Sequence, residues 1–214
     1  MFSFRNPLGL EARVGDFLKR WKSCQRNSMK TVNLLFSLVS KLNLVRTDTL
    51  YKDLKDFPDL EKRLVFSLMD QINHCLPELS NSLNDFADII DRYHKFQQNI
   101  RESLIQKMQK IIPDDPDFDN KILLIEETLD KVAEIAGMLE TELKLKEKIV
   151  SELHKDSLNP ALSHQLSFLL TIWVSEPYLE ERRVKDILET FQYIERYEQK
   201  NQTDYYQRSS YYRL

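Results

Sequence analysis

With 214 residues, 42% of them hydrophobic and 30% charged, the chain can bury a sizeable core and fits neither a disordered tail nor a membrane protein. Its formal net charge of -3 gives no reason to expect a nucleic-acid binder that works through overall charge, although local basic patches remain possible. The presence of only 3 glycines argues against β-hairpins and phosphate-binding loops, which need the backbone conformations that glycine supplies.

Residues 1–10 are predicted to be a flexible leader, and they lack the apolar core that a signal peptide needs. The most apolar run, residues 166–174, is far too short to cross a bilayer. Cys24 and Cys75 lie on apolar faces of predicted helices, where cysteine most often acts as a small buried hydrophobic residue. We therefore expect a protein of the cytosol or the nucleus, without structural disulfides.

A seven-residue repeat of apolar side chains predicts the first helix over residues 11–45. Two polar residues, Ser28 and Thr31, occupy positions on the apolar seam and make it weak in the middle. Trp21 is interpreted as a core anchor in preference to a ligand contact. The apolar seam residues of this helix are Val14, Phe17, Trp21, Cys24, Leu35, Leu38 and Leu42.

A second apolar series from Leu60 to Ile111 predicts another long helix. Pro58 suits its first position, where the missing N–H costs nothing, and Phe57 is pushed towards an extended conformation from which it could pack back on the core. Pro77 should kink this helix or break it, because a proline inside a helix costs about 3 kcal/mol. Residues 113–117 (Pro-Asp-Asp-Pro-Asp) stop it, so the next helix should run antiparallel.

The third helix is predicted over residues 118–153, where apolar residues form the seam of a coiled coil for about five heptads. Only Lys146 interrupts this seam. A lone cation at such a position can select the register or the partner of a helix. The favoured interpretation is instead that Lys146 extends its charged end into water past an apolar stem.

Two shorter helices follow in the C-terminal part. One is predicted over about 160–175 with Asn159 as its N-cap, and the other opens at Pro177. The polar, tyrosine-rich tail 201–214 is expected to be disordered. Together the elements predict an all-α fold, an elongated antiparallel helical bundle of three long helices and two shorter ones, in a single domain over residues 11–200.

Catalytic and cofactor motifs are not found in the sequence. The histidines are scattered, the two cysteines are far apart, and no glycine-rich nucleotide-binding pattern or nucleophile elbow occurs. An acidic cluster from Asp114 to Asp119 could suggest calcium, but it lacks the glycine and the closing glutamate of an EF-hand loop, so helix capping explains it more simply. We therefore expect no enzyme, no cofactor and no metal site.

The segment from residue 142 to residue 188 resembles the C-terminal part of the cyclin-dependent kinase 2-interacting protein family. The resemblance is carried by ELKLKEKIVSEL at 142–153, LSFLLTIWVSEPYLEE at 166–181 and DIL at 186–188. Its most distinctive element is the W-x-x-x-P-Y-x-E pattern. FPDLEKRL at 57–64 is similar to a motif of the paralogous ribosome-maturation subunit that partners this family.

The resemblance implies a non-catalytic adaptor subunit of a hetero-oligomer. It implies binding to a paralogous helical partner and to a hexameric AAA-type ATPase, with links to cyclin-dependent kinases, DNA replication, checkpoint signalling and ribosome biogenesis. The resemblance also implies a protein of the nucleus that is present in the cytoplasm as well. No membrane and no direct nucleic-acid contact are expected. The alternative is a structural coiled-coil component of a cytoskeletal, kinetochore or tethering assembly.

A docking corner at the C-terminal end of the bundle is the hypothesis for partner binding, because tryptophan and tyrosine are enriched among interface hot spots. Lys146 joins it as a residue that could select the partner. The alternative, given equal weight, is that the corner merely closes the core of the chain itself. The corner consists of Trp173, Pro177, Tyr178, Ile187 and Leu188.

Overall fold

The computed structural model describes residues 9–46, 57, 59–109, 118–156 and 163–211, and within these ranges every regular element is an α-helix and none is a strand. The helices pack against one another in a helical bundle, which confirms the all-α prediction. In chain order they are α1 (Leu10–Arg46), α2 (Leu60–Met108), α3 (Phe118–Asp156), α4 (Ser163–Ser175) and α5 (Glu181–Tyr211).

The two helices with predicted seams, α1 and α3, follow the sequence pattern closely. α1 extends the predicted range 11–45 by one residue at each end, and α3 continues past the predicted end to Asp156. Their seams are buried because apolar residues spaced three and four apart share one face of a helix. The most fully buried seam residues, at most 2% exposed, are Val14, Trp21, Leu35, Leu38, Leu42, Val132 and Leu139.

Pro77 lies inside α2, which runs as one helix over 49 residues, so of the two predicted outcomes the break is wrong and the kink stays a prediction. The carbonyl that loses its partner to a proline is that of Asn73, four residues earlier. Both residues are exposed, so water can donate the missing hydrogen bond. Phe57 is 60% exposed, so the expectation that it packs back on the core is also wrong.

The C-terminal helices differ from the prediction at their ends. The last helix does not open at Pro177, because residues 176–180 form a turn in which the N–H of Leu179 donates to the carbonyl of Glu176 at 3.0 Å. α5 then begins at Glu181 and continues to Tyr211, into the segment for which the sequence predicts a disordered tail. Several predicted features lie outside the described residues: residues 1–8 of the leader predicted over 1–10, Pro58, the Pro-Asp-Asp-Pro-Asp breaker and the Asn159 cap.

The contacts divide the chain into two compact units. We call the first the terminal unit (Met1–Arg20, Asp91–Met138 and Glu180–Leu214) and the second the tryptophan unit (Trp21–Ile90 and Leu139–Leu179), because the second holds both tryptophans. The sequence predicts one domain over residues 11–200, and whether the two units fold as one domain stays a prediction.

The terminal unit has an aromatic core. Phe17 meets Tyr93 edge to face, with ring centroids 5.2 Å apart, and Phe96 packs against both rings. The buried hydroxyl of Tyr93 donates to the carbonyl of Val132 at 3.1 Å, as a buried phenol needs a partner. Burial also raises the pKa of Tyr93 far above its ordinary value, so the ring stays neutral.

Two further expectations concern the cysteines and the membrane. Cys75 is buried and Cys24 is half-buried, and both are free thiols whose pKa is raised by burial. Among the described residues, no helix combines the length and the apolar composition that crossing a bilayer requires.

Candidate functional site

Lys146 lies fully buried in the tryptophan unit, with 0% of its side chain exposed. The α3 seam turns it inward, and its ammonium donates to Oε1 of Gln25 on α1 at 2.9 Å and to the carbonyl oxygen of Trp173 on α4 at 3.1 Å. The interpretation that Lys146 extends its charged end into water is therefore wrong. A lysine becomes this buried only when its donors find acceptors inside the protein.

Two carboxylates and two aromatic rings surround the Lys146 ammonium. Its Nζ lies 3.5 Å from Oε1 of Glu142 and 3.5 Å from Oε1 of Glu176. It also lies 4.7 Å from the ring centroid of Trp173 and 5.3 Å from that of Phe86. Opposite charges and the negative faces of the rings together replace the water that the cation loses on burial.

The same contacts close the end of α4. The carbonyl of Trp173 is one of the last four in this helix, so no N–H within α4 can reach it. Lys146 donates to that carbonyl, and Nε2 of Gln25 donates to it as well, at 3.0 Å. A cation at the carboxyl end of a helix also complements the helix dipole. Residues of α1 and α3 therefore form the C-terminal cap of α4.

Glu176, the residue after α4, has a positive φ of 44°, which is unusual for a side chain larger than glycine. This conformation ends the helix, and Pro177 cannot continue it. It also brings the Glu176 carboxylate to Nε1–H of Trp21, which donates to it at 2.8 Å, and close to Lys146. Strain of this kind persists where surrounding contacts hold the residue in place.

Ser28 and Thr31, the polar residues on the α1 seam, each form a hydrogen bond with a residue of another helix. Trp173 donates its indole N–H to the hydroxyl of Ser28 at 3.1 Å, and that hydroxyl donates to the carbonyl of Gln25 at 2.8 Å. Thr31 donates to Oε2 of Glu78 at 3.0 Å. The weak stretch of the first seam is thus the place where polar side chains of α1 meet partners from other helices.

Glu142 is the least satisfied member of the cluster. It has 0% exposed side chain, and its Oε2 accepts the backbone N–H of Tyr178 at 3.0 Å. Its Oε1 has no hydrogen-bond partner among the described residues, and the ammonium of Lys146 at 3.5 Å is only an ion-pair neighbour. Burial raises the pKa of Glu142 and lowers the pKa of Lys146, because burial disfavours both charged forms.

We call Gln25, Glu142, Lys146, Trp173 and Glu176 the lysine cluster. The sequence singled out Lys146 and Trp173 but missed the other three residues. The sequence did carry a signal for a buried polar cluster, because polar residues occur on the seams of both α1 and α3. When two helices pack through their seams, such residues must face each other or stay buried without hydrogen-bond partners.

The predicted docking corner is only partly accessible. Trp173 and Ile187 have 0% exposure, and Lys146 is equally buried, so these side chains contact residues of their own chain. Tyr178 is 48% exposed and Pro177 is exposed as well. Leu188 is half-buried and, like Ile187, belongs to the terminal unit. A role of these residues in partner binding stays a prediction.

Exposed apolar side chains do occur on and after α4 in the tryptophan unit. Phe168 is 66% exposed and Val174 is 42% exposed, and Tyr178 follows in the turn after the helix. Large exposed apolar side chains are candidates for contact with a protein partner. We call these three residues the α4 surface.

The lysine cluster and the α4 surface fall inside a range that resembles a known family. The family model CA109-like, described as ribosome biogenesis protein C1orf109-like, matches residues 12–193. No curated protein and no solved structure gives a significant match. The resemblance to the cyclin-dependent kinase 2-interacting protein family is therefore corrected to its paralogous ribosome-maturation partner, the family to which the FPDLEKRL motif pointed.

Proposed function

The chain belongs to the C1orf109-like ribosome biogenesis family, and on this basis we propose that it acts as a non-catalytic helical adaptor in ribosome biogenesis. The observation that carries the proposal is the family match over residues 12–193, which includes the whole lysine cluster and nearly all described helices. The family suggests that the protein works in the nucleus or the nucleolus.

The lysine cluster gives this adaptor a preorganised surface. It joins α1, α3 and the end of α4 through buried hydrogen bonds, which fixes the position of the short helix. A surface that is already ordered loses less entropy when a partner binds. We therefore assign partner contact to the α4 surface of Phe168, Val174 and Tyr178 rather than to the buried Trp173.

The proposed partners are a paralogous helical subunit and a hexameric AAA-type ATPase, and any ATP hydrolysis belongs to that ATPase. Support comes from the pairing of two paralogous families: the family matched here is the partner of the cyclin-dependent kinase 2-interacting protein family, which residues 142–188 resemble. The links to cyclin-dependent kinases, DNA replication and checkpoint signalling rest on that resemblance alone. The rival coiled-coil rod is less favoured, because the seam residues Val132 and Leu139 of α3 are already buried within this chain.

The proposed role is tested by depleting the protein in cells that express it and measuring pre-rRNA intermediates and free ribosomal subunits. Depletion should raise the precursors, and re-expression of the wild-type chain should restore them. Unchanged precursor levels after effective depletion would refute a role in ribosome biogenesis.

The proposed surface is tested by affinity purification and mass spectrometry with a Phe168→Ala/Tyr178→Ala variant. The matched control is Phe66→Ala, which removes another exposed aromatic side chain (75% exposed) from the same unit. The double variant should lose the helical partner and the ATPase, whereas the control should retain both. If both variants retain them, the α4 surface is the wrong surface, although the family function still stands.

A further inference from the structure

The first helix is far more basic than the rest of the chain. Residues 17–46 contain seven lysines and arginines and no aspartate or glutamate, in a chain whose formal net charge is -3. This segment therefore carries +7, and the remainder carries -10. The net charge of the whole chain gave no reason to expect nucleic-acid binding, because the basic segment and the acidic remainder largely cancel in it.

Four of these cations lie on the exposed side of α1 within the tryptophan unit, and we call them the basic face: Lys22, Arg26, Lys30 and Lys41. The first three recur every four residues, so they form a row with steps of about 6 Å along the helix. The opposite side of the helix, which carries Gln25 and Ser28, is buried against the core.

Three of the four cations of the basic face are not neutralised by a carboxylate within the described part of the chain. Arg26 donates from Nε to the backbone carbonyl of Lys22, and neither Arg26, Lys30 nor Lys41 forms an ion pair with a described residue. Lys62 of α2, by contrast, lies 3.1 Å from the carboxylate of Asp59. The positive potential of Arg26, Lys30 and Lys41 is therefore available to an external anion.

The side chains between the cations indicate the chemistry of that anion. Ser23, Asn27 and Asn33 are exposed neutral hydrogen-bonding groups, as is common in contacts to phosphate and sugar. Every aromatic side chain described in α1 is at least partly buried, so the helix has no exposed ring on which unpaired bases could stack. A row of cations without stacking rings suits a duplex that is read through its backbone.

We infer that the basic face of α1 binds the phosphate backbone of double-stranded RNA without reading the base sequence. The preference for RNA over DNA rests on the proposed role in ribosome biogenesis, whereas the preference for a phosphate backbone rests on the charge and exposure of α1 alone. The basic face shares no residue with the α4 surface, so variants of the two can be made and tested independently.

The test measures binding of the full chain to a fluorescein-labelled RNA duplex, two helical turns long, by fluorescence anisotropy across a salt series. The variant Arg26→Gln/Lys30→Gln/Lys41→Gln removes three phosphate contacts. Each contact contributes about 0.7 to 0.9 to the slope of log K against log salt, so the slope should fall by about 2 to 3. At about 0.1 M salt the variant should bind about 100-fold more weakly.

The matched control is Lys62→Gln/Lys144→Gln/Lys148→Gln, which changes the net charge equally through exposed lysines of α2 and α3 in the same unit. It should bind the duplex as the wild-type chain does. Equal weakening by the two triple variants, or binding that does not depend on salt, would overturn the inference.

A labelled polyglutamate peptide of the same charge as the duplex provides the second arm. Weaker binding of the peptide supports the RNA backbone as the ligand, and equal or tighter binding would assign the basic face to an acidic protein segment instead. Neither result bears on the pre-rRNA measurement, so failure here is distinguishable from failure of the proposed function.

Discussion

Replacing Lys146 by methionine tests whether the buried ammonium holds the tryptophan unit together. Methionine keeps the unbranched stem of lysine and removes the charge and all three donors. Gln25 then loses the donor to its Oε1, and the carboxylates of Glu142 and Glu176 lose their common cation. The carbonyl of Trp173 keeps only the hydrogen bond from Gln25.

The magnitude follows from the burial of the pair. Lys146 and Glu142 each have 0% exposed side chain, so solvent does not screen their interaction. Removing one member of a buried ion pair destabilises a protein by about 3–5 kcal/mol, because the remaining charge is left without compensation. For a chain of this length, each kcal/mol lowers the melting temperature by about 2–4 °C. We therefore expect the variant to melt on the order of 10 °C lower.

The assay is urea unfolding followed by tryptophan fluorescence, which reports this unit because both tryptophans lie in it. The matched control is Lys148→Met, which removes an exposed lysine two residues away and should change the free energy of unfolding by no more than about 0.5 kcal/mol. A loss below about 1 kcal/mol for Lys146→Met would refute the argument that the cluster depends on its cation.

The pH dependence of the same variant gives an independent check. Burial already raises the pKa of Glu142 above its ordinary value of 4.5, and removal of the neighbouring cation raises it further. When the pKa of a carboxyl is higher in the folded state than in the unfolded chain, the free energy of unfolding decreases as the pH rises above the pKa of the unfolded chain. Below that pKa the carboxyl is protonated in both states and does not destabilise the fold. The loss of unfolding free energy caused by Lys146→Met should therefore be smaller at about pH 5 than at about pH 8. Adding Glu142→Gln to this variant should reduce the loss at the higher pH. A loss that is independent of pH would argue against the charge of Glu142 as its cause.

Three further predictions concern other residues. Trp173→Ala should lower the free energy of unfolding in urea by about 3–5 kcal/mol, because it leaves a cavity at a fully buried position. If the variant instead lost partner binding with unchanged stability, the hypothesis of a docking corner around Trp173 would be favoured. Glu176→Gly and Asp59→Gly each place a glycine at a position of positive φ, 44° and 62° respectively, and so relieve backbone strain. Only Glu176→Gly should lower the melting temperature, because only the Glu176 carboxylate accepts a hydrogen bond from a buried side chain, that of Trp21. The hydrogen bond from Arg183 lowers the pKa of Glu134, so the stability that Glu134 contributes is present above about pH 4.5 and is lost as the pH falls. Acid unfolding followed by circular dichroism should therefore be less steep for Glu134→Gln than for the wild-type chain.

The helices themselves could be predicted because periodicity is a local property of the sequence. The repeat of apolar residues at steps of three and four identified α1 and α3 almost to their ends, and the same residues form their buried faces. The predicted break at Pro77 was wrong, because the long amphipathic helix around this exposed proline outweighed its low helix propensity. The prediction was also wrong for the start of the last helix, where Pro177 lies in the turn rather than at the first position.

Only the tertiary structure revealed what the polar residues on the seams do. The sequence by itself determined that Lys146 and Ser28 occupy seam positions, because position along a helix depends on residue spacing alone. It could not determine that both meet the end of α4, since that meeting depends on how separate helices align along one another. A lysine at a seam has the same spacing whether it reaches water or a buried carbonyl, and the free energy that decides between them comes from residues more than a hundred positions away, such as Gln25.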